Sequence, residues 1–385
     1  MKSKFFAVLV VFAFALNAFG AAFANTKTNK KVKPTNALAA LLPASDGIFT
    51  VDLQKVLNEA APQILSGKPQ MLTDINAKID EVRDKTGLDL RQFEQIAVGV
   101  AMKQISPKEV DLEPLVLARG KYNANALTAL AKLASKGKYR EEKVGARTVY
   151  IFSIKEIAEN AAQNRVGAVE FSTPIPPEKS WFEKAIDRMI DGLMKEIAVT
   201  SYDGNTLAFG SAARVRETLN TKTRVNADLL NSINRKPNAI VSFGAKLPNG
   251  LSNFIDLDND EFGMTLDSIR QVSGAMELIN GDTAVSVTAK TAKVDQSQKL
   301  LETLQGLQML GKTLIGGSKG ADKQVYSRMI ENAKITRSLL EVSLDLQVPQ
   351  SDIDILLNLG GDKTGKVSLN LQVPPTGINI LMGAK

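Results

Sequence analysis

The sequence predicts an α+β protein: two similar halves of mostly antiparallel sheet backed by helices, with a helical insertion between them. Three observations carry this reading. Hairpin patterns outnumber obvious parallel crossovers, which favours antiparallel pairing. The order strand, helix, hairpin, helix, then hairpin or strand occurs twice along the chain. A Pro-rich stretch and a long amphipathic helical pattern separate the two occurrences.

In the first half, Gly47 to Leu53 alternates as a strand entered through the turn residues Pro43 to Asp46. Leu53 to Leu65 and Leu72 to Lys85 carry helical spacing, and Gly87 is the stop of the second. Ile96 to Met102 and Leu115 to Arg119 read as strands, and Asn123 to Ser135 as an Ala/Leu-rich helix. Tyr139 to Val144 and Arg147 to Ile154 form a hairpin turning at Gly145.

The second half begins with an alternating strand, Asn238 to Leu247, followed by a helical region from Leu251 to Ile269. Ser273 to Ile279 and Thr283 to Lys290 form the clearest hairpin, because Asn280-Gly281 tolerates the positive dihedrals of a two-residue turn. Gln296 to Ile315 reads as a long helix, Ser338 to Val348 as a long strand, Ser351 to Asn358 as a short helix and Gly365 to Val373 as a closing strand. Between the halves lie the Pro-rich Thr173 to Pro177, a helix from Trp181 to Ile197, and a hairpin from Ala198 to Phe209. The expected division is a signal at 1–24, a polar Lys-rich leader at 25–36, a first half at 37–164, an insertion at 165–234 and a second half at 235–385. Whether the halves share one sheet stays open.

Residues 1–24 predict where the protein works. Lys2 and Lys4 precede the apolar run Phe5 to Phe19, and Ala22-Phe23-Ala24 supplies a small-x-small cleavage site. The expectation is a cleaved secretory signal, cut after Ala24, and a periplasmic or secreted mature protein. No later segment is long and apolar enough to span a bilayer as a helix.

Composition removes whole classes of function. An apolar content of 44% is that of a chain that buries real cores. The formal charge is +7, but Lys2 and Lys4 leave with the signal and Lys27, Lys30, Lys31 and Lys33 sit in the leader, so the body carries +1. That offers no general field for phosphate backbones, and nucleic acid is not an expected partner. The absence of cysteine excludes disulfides and a lipoprotein anchor. The absence of histidine excludes Ser-His-Asp catalysis and zinc sites built on nitrogen or sulfur ligands. Carboxylate pairs, Ser-Lys dyads and hard cations held by oxygen remain.

Four motifs match chemistry on paper. Gly306 to Thr313 fits the phosphate-loop pattern, yet Leu300, Leu304, Leu307, Leu310 and Leu314 run through it at helical spacing, so it reads as one helix. Ser135 and Lys138, Ser232 and Asn234, and Lys363-Thr364-Gly365 follow the order of the penicillin-binding and serine β-lactamase triplet. That chemistry needs the serine at the start of a helix, whereas Ser135 closes one. Asp256, Asp258 and Asp260 alternate as calcium-loop ligands do, but Glu261 replaces the loop glycine and Asp267 stands where the closing glutamate belongs. Trp181 to Ile197 gathers Trp181, Phe182, Ile186, Met189, Ile190 and Leu193 on one side and mixed charge on the other. It packs on its own sheet in the plain reading and is the first choice for a docking helix in the functional one.

The stretch Leu41-Leu-Pro-Ala-Ser-Asp-Gly-Ile-Phe-Thr-Val-Asp-Leu53, behind a signal and in a duplicated α+β body, resembles a group of exported bacterial proteins of unknown function. Lys236-Pro-Asn-Ala-Ile-Val-Ser in the second half keeps the proline and strand but lacks the aspartate. The resemblance implies export and the fold, and carries over no catalytic residue. The leading expectation is an exported, non-catalytic binding or envelope-organising protein without a cofactor, with an envelope protein, a lipid or a wall component as partner. One competing expectation is a serine-lysine enzyme using Ser135, Lys138 and Lys363. The other is a calcium-binding extracellular module using Asp256, Asp258 and Asp260.

Overall fold

The computed structural model describes residues 36–86, 88–106, 109–153, 188–189, 191–193, 195–220, 223–248, 252, 261–315 and 320–361. The expected signal, nearly all of the leader, Thr173 to Pro177, most of Trp181 to Ile197 and the strand Gly365 to Val373 lie outside the described residues.

A short helix α1 (Asn36–Ala39) leads into β1 (Gly47–Asp52). Asp52 accepts the Lys55 N–H at 3.0 Å and so caps α2 (Leu53–Lys55). The helix predicted over Leu53 to Leu65 is interrupted: Val56–Ala60 is π-helical, and α3 (Ala61–Ile64) completes it. α4 (Pro69–Thr86) precedes a long hairpin, β2 (Phe93–Ser106) and β3 (Glu109–Gly120), which extends well beyond the two short strands predicted there. α5 (Ala124–Ala134) and the hairpin β4 (Tyr139–Val144) and β5 (Arg147–Phe152) lie where the periodicity puts them.

The hairpin predicted over Ala198 to Phe209 is β6 (Ile197–Asp203) and β7 (Thr206–Gly210). Two short helices follow, α6 (Ala212–Asn220) and α7 (Ala227–Ile233), which the pattern does not reveal. β8 (Val241–Lys246) and α8 (Glu261–Asp267) lead to β9 (Ile269–Ile279) and β10 (Asp282–Thr291). Their turn places Asn280 at φ 53° and Gly281 at φ 88°, as a two-residue turn of this hand requires. α9 (Val294–Ile315) is followed by α10 (Ala321–Asn332), which no sequence signal announced.

The predicted strand Ser338 to Val348 is corrected to a hairpin, β11 (Lys334–Ser338) and β12 (Glu341–Val348), turning at Leu339 and Leu340. Two leucines carry none of the usual turn chemistry, although Leu339 adopts φ 49°. α11 (Gln350–Gly361) ends the described chain.

The twelve strands of the described residues form one sheet in the order β11-β12-β10-β9-β8-β1-β2-β3-β7-β6-β5-β4, each neighbouring pair antiparallel. The halves therefore share a single sheet. β1 and β8 meet at its centre, with Phe49 opposite Phe243. Outward from β8 come the long hairpin β9–β10 and the edge hairpin β12–β11; outward from β1 come β2–β3 and, at the edge, β5–β4. The hairpin β7–β6 sits between β3 and β5 and has no counterpart. Inserting two strands at once preserves the alternating direction, so the sheet absorbs it without a parallel pair.

The first half buries one face through Ile48, Leu115, Leu117, Val149 and Ala208 against Leu38 and Leu42, Val215 of α6 and Leu229 and Ile233 of α7. Ile48 is flanked by Gly99 and Gly244, and these bare positions let Leu42 and Ile233 approach the sheet. On the opposite face, Ala118, Leu207 and Val199 pack against Ala124 and Leu127 of α5. In the second half, Leu300, Leu301 and Leu304 of α9 pack on Val272, Ala289, Val342 and Ile335. By register these belong to the same face that α5 covers, so α5 and α9 lie over opposite ends of one face. The other face of the second half presents Ser273, Thr288, Ser343 and Thr336 in one cross-strand row.

Candidate functional site

A cleft of about 320 Å³ opens where α5 lies over the outer strands β5 and β6. Its volume falls at the small end of the range of ligand pockets, roughly 300–1,000 Å³. The local sequence sets each wall. Asn123 caps α5, its side-chain oxygen accepting the Asn125 and Ala126 N–H groups at 3.0 and 3.1 Å. The helix then presents Asn125, Thr128, Ala129 and Lys132 to the cleft at helical spacing. Gly145, at φ 61°, turns the edge hairpin so that Ala146, Arg147, Thr148 and Tyr150 form the facing wall. Thr200 and Ser201 of β6 complete it.

Three of the hydroxyl protons are already committed inside the protein. Thr128 donates to the Ala124 carbonyl at 2.9 Å, Thr200 to that of Thr148 at 2.9 Å, and Ser201 to that of Asp203 at 2.8 Å. Thr200 is 1% exposed and points to the α6-side face, so Thr128 and Ser201 are the two of these whose oxygens lie on the cleft side with lone pairs left to accept. The other side-chain donors lining the cleft are the Asn125 amide, the Thr148 and Tyr150 hydroxyls and the Lys132 ammonium, which is already paired. Lys132 Nζ lies 4.7 Å from the Tyr150 ring centre and 5.2 Å from that of Tyr139, and it meets Glu141 at 3.0 Å. The Glu141 carboxylate first, and the Tyr139 hydroxyl after it, hold the Lys132 ammonium above the ordinary lysine range. Tyr139 packs edge-on against Tyr150 at 5.9 Å and beside Phe152 at 5.8 Å, which fixes the platform under the lysine. The Arg147 guanidinium lies 5.3 Å from the Tyr202 ring centre, on the α6-side face with Val144 and Val149 and so across the sheet from Lys132. The cleft thus combines one paired cation with hydroxyl groups and an aromatic wall.

Ser135 caps the C-terminal end of α5, is 2% exposed, and donates its hydroxyl to the Lys132 carbonyl at 2.7 Å. The Lys138 N–H donates to the Ser135 carbonyl at 2.9 Å while the Lys138 side chain is exposed. The structure therefore brings these backbones together and gives the Ser135 hydroxyl a carbonyl for its partner. Ser232 likewise donates to the Leu229 carbonyl at 2.7 Å. Lys363 lies outside the described residues, as do Asp256, Asp258 and Asp260. Asp267 accepts from the Ser252 N–H at 2.7 Å and from its hydroxyl at 2.6 Å, so both carboxylate oxygens have partners. Gly306 to Thr313 is helical throughout, inside α9, with Gly311 buried against Ile330 of α10. Met189, from the amphipathic pattern, is helical and half-buried, and the neighbouring Arg188 donates to the Val110 carbonyl at 2.8 Å.

The residues of the LPxxD stretch are structural. Asp46 accepts the Met102 N–H at 2.9 Å, Ser45 donates to the Pro43 carbonyl at 2.9 Å, and the Leu41 carbonyl accepts from Arg224 and Thr218. They anchor the loop that feeds the central strand to β2, α6 and the segment before α7.

No family model matches this chain, and no curated protein matches it. Among solved structures, crystal form I of TP0453 is 10% identical, with a TM-score of 0.37 over 86% of this chain and 98% of that one. Crystal forms III and IV give 10% and 9% identity and TM-scores of 0.36 and 0.37, each over 85% of this chain and 99% and 97% of the other. Likeness at this level carries no argument about function.

Proposed function

We propose that this chain is an exported, non-catalytic binding protein that seats a small hydroxylated ligand in the cleft between α5 and the outer strands. The observation that supports the reading is convergence. Three segments distant in sequence bring Asn125, Thr128, Lys132, Thr148, Tyr150 and Ser201 to one concavity. Hydroxyl oxygens that accept, a cation that donates and an aromatic wall are the means by which proteins hold polyhydroxylated molecules. The signal pattern of residues 1–24 supports the export part of this reading. The missing histidine and the carbonyl-bonded Ser135 hydroxyl leave binding as the simplest use of these groups.

Thermal melting of residues 25–385 against glucose, glucuronate, glycerol phosphate and a disaccharide fragment of wall polymer tests this. A ligand at a hundred times its Kd adds about 2.7 kcal/mol, well within reach of a melt. The expected result is a rise in Tm with at least one compound that Ala146→Trp, which fills the cleft from an exposed turn, abolishes. A shift that survives Ala146→Trp, or no shift with any of the four, contradicts the reading.

A further inference from the structure

We infer that residues 366–373 dock along the open outer edge of β11 in the same chain and extend the sheet there by one strand. The inference is independent of the cleft and begins from a repeat. β12 and the proline after it read Val342-Ser-Leu-Asp-Leu-Gln-Val-Pro349, and Val367-Ser-Leu-Asn-Leu-Gln-Val-Pro374 matches at seven of eight positions. In β12 the alternation is fully used. Val342, Leu346 and Val348 are buried on the face that carries α9, while Ser343, Asp345 and Gln347 point the other way. An extended chain of the repeat's sequence puts Val367, Leu369, Leu371 and Val373 on one side and Ser368, Asn370 and Gln372 on the other. Residues 362–385 lie outside the described residues.

The sheet offers one place within reach. β12 is bonded to β10 along Thr283 to Lys290 and to β11 on its other side, so both of its edges are taken. β11 ends the sheet, and among the described residues no strand pairs with its outer edge. The other terminal strand, β4, stands eleven strand spacings away, about 50 Å at ~4.8 Å each. Asp362 to Lys366, the link from α11, spans at most ~18 Å.

Direction and cover agree with this place. β11 runs opposite to β12, so a strand antiparallel to β11 runs parallel to β12. Parallel strands need a returning crossover, usually a helix, and α11 leaves β12 through Pro349 to supply one. α9 lies along β11: Arg337 reaches Ser297 at 3.4 Å, and Gln308 donates to the Ala333 carbonyl at 2.8 Å. Its Leu310 and Leu314 are 55% and 69% exposed, so the helix over this edge still has apolar surface to be covered. A bare edge is also a template for foreign strands, and the chain's own repeat closes it.

The chain has no cysteine, so engineered pairs report only the contacts they test. Thr336 lies on the face opposite α9, where docking also puts Ser368, Asn370 and Gln372. In residues 25–385, Thr336→Cys is combined in turn with Ser368→Cys, Asn370→Cys, Gln372→Cys and, as the wrong-face control, Leu369→Cys. Mild oxidation at low protein concentration is expected to join at least one of the first three pairs within a monomer, about tenfold faster than the control. Hydrogen exchange gives a second reading. Leu371→Asp is expected to speed exchange of the alternate, outward-pointing β11 amides about tenfold or more while leaving β4 unchanged. Equal rates in all four pairs, no crosslink, or β11 exchange untouched by Leu371→Asp overturns the inference. Crosslinks that form only between molecules would assign the edge to a second copy and overturn docking within one chain.

Discussion

Arg214 donates to the Ser45 hydroxyl at 2.8 Å, tying α6 to the loop that feeds the central strand across 169 residues of sequence. Arg214 is 3% exposed and also meets Glu217, so the guanidinium is buried between the two. Ser45→Ala leaves a buried charged donor without its acceptor. The expected loss is about 1–3 kcal/mol of unfolding free energy, read as a lowered urea midpoint at unchanged slope.

The Phe243 ring lies directly across Gly274 in the neighbouring strand. A Cβ at that position would stand 2.4 Å from the ring and 2.8 Å from the Ser286 carbonyl. Gly274→Ala is expected to destabilise by about 1–3 kcal/mol, as overpacked cores do. The double variant with Phe243→Leu should recover part of the loss, and chemical denaturation of the four proteins of the cycle checks the coupling.

Asp52 ends β1 with one oxygen capping α2 and the other buried, with no hydrogen bond among the described residues. Burial pushes its carboxyl above the ordinary aspartate range. The native state thus holds that proton more tightly than the unfolded chain. The associated stability is fully present below the unfolded value and is lost as pH rises through the raised native one. Asp52→Asn keeps a capping oxygen and removes the titration. Its unfolding free energy relative to wild type should increase from pH 3 toward neutrality, and an unchanged pH slope would contradict the assignment.

Leu339 holds a left-handed backbone at φ 49° while 75% exposed, so its side chain repays little of the strain. Leu339→Gly is expected to raise stability by about 0.5–1 kcal/mol, measured by thermal melting.

Where local chemistry decides structure, the sequence was legible. Asn280-Gly281 and Gly145 mark their hairpins, and the Ala/Leu spacing of Asn123 to Ser135 marks α5. The hairpin at Leu339 has the sequence pattern of one strand because both turn residues are apolar and the positive dihedral is imposed by pairing on either side. The helices α6, α7 and α10 carry no long apolar stripe, because each is fixed by packing of a few residues such as Val215, Leu229 and Val325. The cleft had no linear signature. Lys132, Tyr150 and Ser201 belong to separate elements, and only the sheet order brings β6 beside β5. The motifs that did stand out were claimed by structure: Ser135 by a helix end, Gly311 by helix packing and Asp46 by a strand amide.

The most direct test of the account maps binding onto the chain. Backbone amide NMR of residues 25–385, titrated in turn with glucuronate, glycerol phosphate and glucose, reports the site and the fate of each compound together. The account predicts saturable shifts concentrated at Asn125 to Lys132, Ala146 to Tyr150 and Thr200 to Ser201 with at least one compound, recovered chemically unchanged. Saturable shifts centred elsewhere, conversion of the compound, or no saturable shift with any of the three would contradict it.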